Sequence, residues 1–322
     1  MWSNNILETI GRTPLVKLNR LTKGLEATVL VKLEFMNPGG SSKDRIALSM
    51  VANAESSGNL KMGSSIVEST SGNTGFGLAM VAAVKGYQTI FAIPDKMSQE
   101  KIDALRAFGA EVIVTPTKVE PDDPRSYYSI AKRTAKETKD ALYLDQLNNP
   151  ANPEAHYRTT GPEIWEQTEG RVTHVVAGAG TGGTISGIGR FLKEVKPSVK
   201  MIAADPYGSV YHDYFKYGRM SDPHAYLVEG IGEDVVCDNV QFQYIDDIIQ
   251  FDDRQAFVIA RRLAREEGIF AGGSGGAAVH VALEVAKEAG PDDVVVAILP
   301  DSGSKYLSKL YNDQWMKDNG FL

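Results

Sequence analysis

Five short loops of glycine, serine and threonine punctuate the 322-residue chain, each between a β-branched run and an amphipathic stretch. They constrain the fold more than any other feature, because open α/β sheets bind ligands at such strand-to-helix junctions. The most pronounced is Gly178-Ala179-Gly180-Thr181-Gly182-Gly183-Thr184, which follows the apolar run 174–177 and opens a helical pattern. Glycines let backbone approach an anion, and a helix N-terminus turns unpaired N–H groups and partial positive charge toward it. The literal GxGxxG spacing, with Asp205 about 20 residues further on, admits a dinucleotide site and hydride transfer. The Thr181 and Thr184 hydroxyls fit a terminal phosphate monoester better, and an unliganded tight turn is a third reading.

A second loop, Ser69-Thr70-Ser71-Gly72-Asn73-Thr74-Gly75, crowds hydroxyls and an amide at another helix start. It can wrap a carboxylate with N–H groups and the Thr70, Ser71 and Thr74 hydroxyls, or serve as an ordinary capped turn. A third, 37–45, delivers Lys43 to the first turn of a helix, where the macrodipole disfavours a cation. The same positive field helps lower the pKa of an amine, as an imine-forming or general-base lysine requires; an exposed surface lysine is the alternative. The remaining loops, 272–276 and 299–303, would each pass alone for a turn.

From about residue 65 to 298 the rhythm of short apolar runs and longer amphipathic ones predicts parallel α/β layers. Strands are expected at 28–33, 65–68, 89–93, 111–114, 142–144, 174–177, 201–204 and 294–299. Helices are expected at 43–56, 74–85, 99–108, 125–138, 184–195 and 254–267, with Ser98 opening the third and Asp252 and Asp253 the last. The breaker cluster 148–153 marks a domain boundary. The Tyr-, Gly- and His-rich stretch 207–232 reads as a long functional loop.

Composition closes other routes. Thirty-four basic against 41 acidic side chains leave 34 − 41 = −7, without a basic run, which argues against a nucleic-acid or anionic-membrane partner. One cysteine, Cys237, precludes an internal disulfide and any multi-cysteine metal site. With no long apolar window and no secretory leader pattern, the expectation is a soluble, cytoplasmic protein with no metal and no membrane partner.

In order, the pieces NPGGSSKDRIA, ESTSGNTGFGLA, GAGTGGTISG, AGGSGGAA and LPDSG resemble the β-family of pyridoxal-phosphate enzymes, the cysteine synthase and cystathionine β-synthase group. The likeness runs from about residue 13 to 321. It implies fold type II, like the tryptophan synthase β-subunit: two three-layer α/β domains with pyridoxal 5'-phosphate in the cleft between them. It places 1–40 with 151–322 in a larger phosphate-binding domain and 41–150 in a smaller, mobile one. It also implies a homodimer.

Carried over motif by motif, the resemblance makes Lys43 the Schiff-base lysine, Asn73 the partner of the cofactor 3-hydroxyl and Ser274 the group facing the pyridine nitrogen. Gly180, Thr181, Gly182, Gly183 and Thr184 would hold the phosphate, which displaces the dinucleotide reading. Thr70, Ser71, Asn73, Thr74 and Gln146 would hold the carboxylate of a small amino-acid substrate, and Gly230 would line the opening above it. The implied reaction is β-replacement, in which an activated serine loses its β-substituent and a sulfur nucleophile adds. The length suggests a stand-alone catalytic core, and hence cysteine synthase using O-acetyl-L-serine and sulfide. The run PDKMSQEKIDALRAFGAEV, the approach Tyr226-Leu227-Val228-Glu229 and the tail YNDQWMKDNGFL look more like cystathionine β-synthase, taking L-serine and L-homocysteine. In that case Tyr211, His212, Asp213, Tyr214 and Tyr226 would line an acceptor pocket larger than sulfide requires. A silent cofactor-binding partner protein is the reading from another class.

Overall fold

The computed structural model describes every residue except Met1, Ser71, Lys96, Ser98 and Pro121, and only the backbone of Glu100. In chain order its elements are β1 (Leu15–Lys17), β2 (Thr28–Leu33), α1 (Lys43–Ser56), β3 (Ser65–Ser69), α2 (Asn73–Lys85), β4 (Gln88–Pro94), α3 (Gln99–Ala107), β5 (Glu111–Thr115), α4 (Tyr127–Glu137), β6 (Ala141–Tyr143), α5 (Ala151–Arg158), α6 (Thr160–Gln167), β7 (His174–Gly178), α7 (Gly183–Val195), β8 (Lys200–Pro206), α8 (Tyr211–Tyr217), β9 (Asp247–Phe251), α9 (Asp253–Arg262), α10 (Gly273–Glu288), β10 (Val294–Leu299) and α11 (Asp313–Asp318). The fold is mixed α/β with two sheets, as the rhythm of the sequence implies.

The chain divides into two compact units, one of residues 1–10 and 37–152, the other of 11–36 and 153–322. Residues 1–10 and 37–40, expected with the larger unit, group with the smaller. The turn at 37–40 is tied to α1, since the Gly39 N–H donates to Asp44 Oδ2 (2.6 Å) and the Gly40 N–H to Asn37 O (2.8 Å). The 3-10 turn Ile6–Thr9 packs with α2.

In the smaller unit the sheet runs β5-β4-β3-β6, all parallel. Strand β3 is buried at every position, as a parallel strand covered on both faces must be. Helix α2 lies close on α1: a Cβ at Gly77 would come within 2.9 Å of the Lys43 carbonyl oxygen, so only glycine permits this approach. That packing fixes the start of α1 relative to α2.

In the larger unit the order is β1-β2-β10-β7-β8-β9, parallel except for β1. Strand β10 is central and wholly buried, and its core includes Val29, Val31, Val176, Val295 and the α10 face Val279, Val281 and Ala282. Asp252 caps α9 in a reciprocal box with Gln255. The stretch expected as one helix over 254–267 instead passes into a π-helical turn, Leu263–Glu267. The Glu267 carboxylate there accepts the N–H groups of Asn19, Arg20 and Leu21, which explains why the turn is held.

Strands β1 and β9 and helices α5, α6, α8 and α11 carry no strong signal in the sequence. The 148–153 cluster is a turn into α5, and the unit boundary falls inside that helix. The stretch 207–232 is not wholly a loop, because α8 occupies 211–217. Ser98, expected to open α3, lies outside the described residues. Among the described residues no helix is long and apolar enough to cross a membrane, and no group of His, Cys, Asp and Glu is placed to hold a metal.

Candidate active site

In the smaller unit three segments carry the predicted site residues. Lys43 begins α1, half-buried, with its N–H donating to Ser41 Oγ (3.2 Å). Asp44 is buried and accepts the Gly39 N–H. The loop after β3 leads into α2, whose N-cap, Gly72, offers no side-chain acceptor. A side-chain acceptor comes from the preceding loop instead. Thr70, buried, accepts the N–H groups of Gly72 (3.1 Å) and Gly75 (3.2 Å), so its oxygen shapes the loop. The Thr74 hydroxyl donates to Gln146 Oε1 (2.5 Å), and Gln146 Nε2 donates to Ser69 O (3.1 Å). Thr70, Asn73, Thr74 and Gln146 are thus brought together, while Ser71 lies outside the described residues.

In the larger unit the glycine loop joins β7 to α7. Gly182 is its N-cap at φ +80°, a conformation L-residues avoid, and a Cβ there would collide with Val240. A Cβ at Gly180 would lie 2.9 Å from the Gly230 carbonyl oxygen. The loop is braced from outside: the Gly232 N–H donates to Ala179 O (2.6 Å) and the Tyr211 hydroxyl to Gly180 O (2.6 Å). The N-cap Gly182 has no side chain to cap α7. Thr184 Oγ1 lies 3.2 Å from His156 Nε2, whose Nδ1 meets Thr160 Oγ1 at 2.8 Å. If Nε2 carries the imidazole proton, the Thr184 hydroxyl hydrogen is left to donate elsewhere. This donor set of backbone N–H groups and threonine hydroxyls fits a phosphate monoester.

Ser274 is the second residue of α10, 4% exposed, after the N-cap Gly272. The Tyr311 hydroxyl on Ala271 O (2.6 Å) and the Gly272 N–H on Asp301 O (2.9 Å) hold this turn. The Tyr306 hydroxyl donates in turn to Asp301 Oδ2 (2.7 Å).

Asp205, the acid at dinucleotide-like spacing, does not suit a ribose. It is fully buried at the end of β8 and accepts the His212 N–H (3.0 Å), and burial pushes its carboxyl up to about 6. Of the expected acceptor-pocket residues, Tyr211 is buried as a brace of the glycine loop, and His212 Nδ1 pairs with Asp213 Oδ1 (2.8 Å). Tyr226 is half-buried, its hydroxyl against Gly232, and burial raises its pKa well above the usual range. Glu68, though inside the motif ESTSGNTG, and His156, in a helix without one, give no local sign of their roles, and Tyr211 reads from sequence as an acceptor-pocket residue rather than a brace. Only their contacts to motif residues expose them.

A family model described as pyridoxal-phosphate dependent enzyme matches residues 6–301. The chain belongs to that family. It is 48% identical over 320 residues to a cystathionine beta-synthase of Apis mellifera, and 45% over 319 residues to one of Dictyostelium discoideum. Both alignments cover 99% of this chain but only 63% and 64% of those relatives, so the chain spans about two thirds of their length or a little less. Two solved structures are similar at TM-score 0.88 each. One is an O-ureido-L-serine synthase, 39% identical and covering 98% of this chain and all of that one. The other is an O-acetylserine dependent cystathionine beta-synthase from Helicobacter pylori, 35% identical and covering 96% of this chain and 98% of that one. As a member of the family, the protein is a fold type II, pyridoxal-phosphate-dependent enzyme.

Proposed function

We propose that this protein forms cystathionine by replacing the β-substituent of a serine-derived amino acid with the thiol of L-homocysteine. The observation that carries the reading is the 45–48% identity to proteins named cystathionine beta-synthase across nearly the whole chain. It moves the acceptor from sulfide, which chain length alone favoured, to homocysteine. The O-acetylserine dependent relative supports O-acetyl-L-serine beside L-serine as the electrophile.

Pyridoxal phosphate, when bound, supplies an electron sink for the substrate α-carbon. The protein's part is to place and protect that chemistry. Gly180, Thr181, Gly182, Gly183 and Thr184 would hold the cofactor phosphate, Asn73 the 3-hydroxyl, and Lys43 the aldehyde. The Lys43 amine would then serve as general base for the substrate α-proton. Ser274 would face the pyridine nitrogen; a hydroxyl there, unlike a carboxylate, would not stabilise a full positive charge, which favours loss of the β-substituent over transamination. Thr70, Ser71, Asn73, Thr74 and Gln146 grip the substrate carboxylate, and Gly230 and Tyr226 border the opening for the acceptor.

Four reactions of purified holoprotein, crossing L-serine and O-acetyl-L-serine with L-homocysteine and sulfide and read by product mass, test the proposal. Cystathionine as the main product from either electrophile supports it. Cysteine as the main product, with homocysteine unused, returns the protein to cysteine synthesis.

A further inference from the structure

Strand β3 pairs with β6 as far as Val67 and Tyr143, and the Leu144 N–H then reaches Val67 O (3.2 Å). Beyond that point the two chains diverge into the loop 69–75 and the turn 145–149. Side chains take over where the ladder stops. Glu68, with no exposed surface, accepts the Ser69 N–H on Oε1 (2.9 Å) and the Gln146 N–H on Oε2 (3.2 Å). Gln146 returns the link through Ser69 O and receives the Thr74 hydroxyl, and Ser69 Oγ meets the Tyr143 hydroxyl at 2.9 Å. One buried carboxyl therefore spans the two segments assigned above to the substrate carboxylate.

We propose that Glu68 is a positioning residue that sets the spacing of these two segments, so that they close on the carboxylate of the amino-acid substrate. The proposal rests on the reading of 70–74 and Gln146 as the carboxylate site. A carboxyl suits the place because each oxygen keeps a lone pair to accept with even when one of them carries a proton, whereas an amide would turn its NH2 toward one of the two N–H donors. Its charge matters as much as its shape. Burial pushes the Glu68 carboxyl up to about 8; the Ser69 and Gln146 N–H groups pull the other way, and Asp145 adds to the rise. The titratable groups facing it are Asp145 and Tyr143. Near neutral pH the neutral acid dominates, so the strand end beneath the site adds no negative charge against an anionic substrate. Above about pH 8 the appearing charge opposes it.

The test is the Kd of L-alanine, which lacks a β-leaving group, read on holoprotein from the visible spectrum of the bound cofactor. Glu68→Gln is expected to raise Kd about tenfold near pH 6.5, with cofactor content and spectrum unchanged. The ratio of variant to native Kd should shrink toward about pH 9, as the native carboxyl ionises and weakens the native protein. A ratio within about twofold of one throughout overturns the proposal. So does a raised ratio that stays flat with pH, which a merely loosened fold would give. Thr74→Ala is run beside it. If Thr74→Ala weakens L-alanine binding and Glu68→Gln does not, Glu68 alone is misassigned. If neither does, the carboxylate site itself is wrong. Should Glu68→Gln give no folded holoprotein, Glu68→Asp, which keeps both acceptors but withdraws them by about one methylene, is expected to show the same rise near neutral pH.

Discussion

Tyr211→Phe isolates the brace on the phosphate loop. The Tyr211 side chain is fully buried, and its hydroxyl makes a 2.6 Å bond to Gly180 O. Phenylalanine keeps the ring and removes only the donor, leaving a carbonyl of the loop unsatisfied. Such a loss costs about 1–3 kcal/mol when the acceptor cannot reach water. The empty loop can relax toward another partner, whereas the bound phosphate demands the braced shape, so the cost falls chiefly on cofactor affinity. At about 1.4 kcal/mol per factor of ten, the expected loss is roughly 5- to 150-fold in the Kd for pyridoxal phosphate. Titration of apoprotein with the cofactor, followed by absorbance, reads it directly. Turnover at saturating cofactor should stay within about twofold, because Tyr211 touches no reacting atom in this account. Unchanged cofactor affinity in a folded Tyr211→Phe protein would refute the reasoning.

Other expected outcomes follow from single contacts. Burial raises the Asp205 carboxyl from 3.8 to about 6, so its contribution to stability is present below about pH 4 and lost as pH rises through 6. Relative to Asp205→Asn, the native protein should lose on the order of 3 kcal/mol of unfolding free energy between about pH 4 and 7, measured by urea denaturation; parallel pH profiles would contradict this. Asp252→Ala removes the capping box of α9 and should cost about 1 kcal/mol in the same assay, with turnover unchanged. Lys43→Ala should abolish turnover while circular dichroism and melting stay near native, since the side chain is half-buried at a helix start.

The sequence made the strand-to-helix loops legible because their physics is local. A glycine at positive φ, hydroxyls at a helix start and a lysine at its N-terminus all show in a few consecutive residues, and the eight expected strands and the helices bearing Lys43, Asn73 and Thr184 are present. What did not show was long-range. Strand β1 has three residues, and β9 (DIIQF) mixes charge with apolar residues, so neither stands out from its surroundings. Helix α5 carries a proline and an asparagine at its start and reads as a breaker. Tyr211 looked like an acceptor-pocket residue because aromatic density in 207–232 gives no hint that its hydroxyl is turned to a loop 31 positions earlier. Glu68, inside the motif ESTSGNTG, gives no local sign of its role, because a strand acid looks ordinary until its two oxygens are seen on two different segments.

The central claim is that Lys43 is the residue holding pyridoxal phosphate. Borohydride treatment of the holoprotein, proteolysis and mass spectrometry of the lysine peptides test it most directly. The account predicts the reduced cofactor mass on the peptide containing Lys43 and on no other lysine. Label on a different lysine, or a holoprotein that yields none, would contradict it.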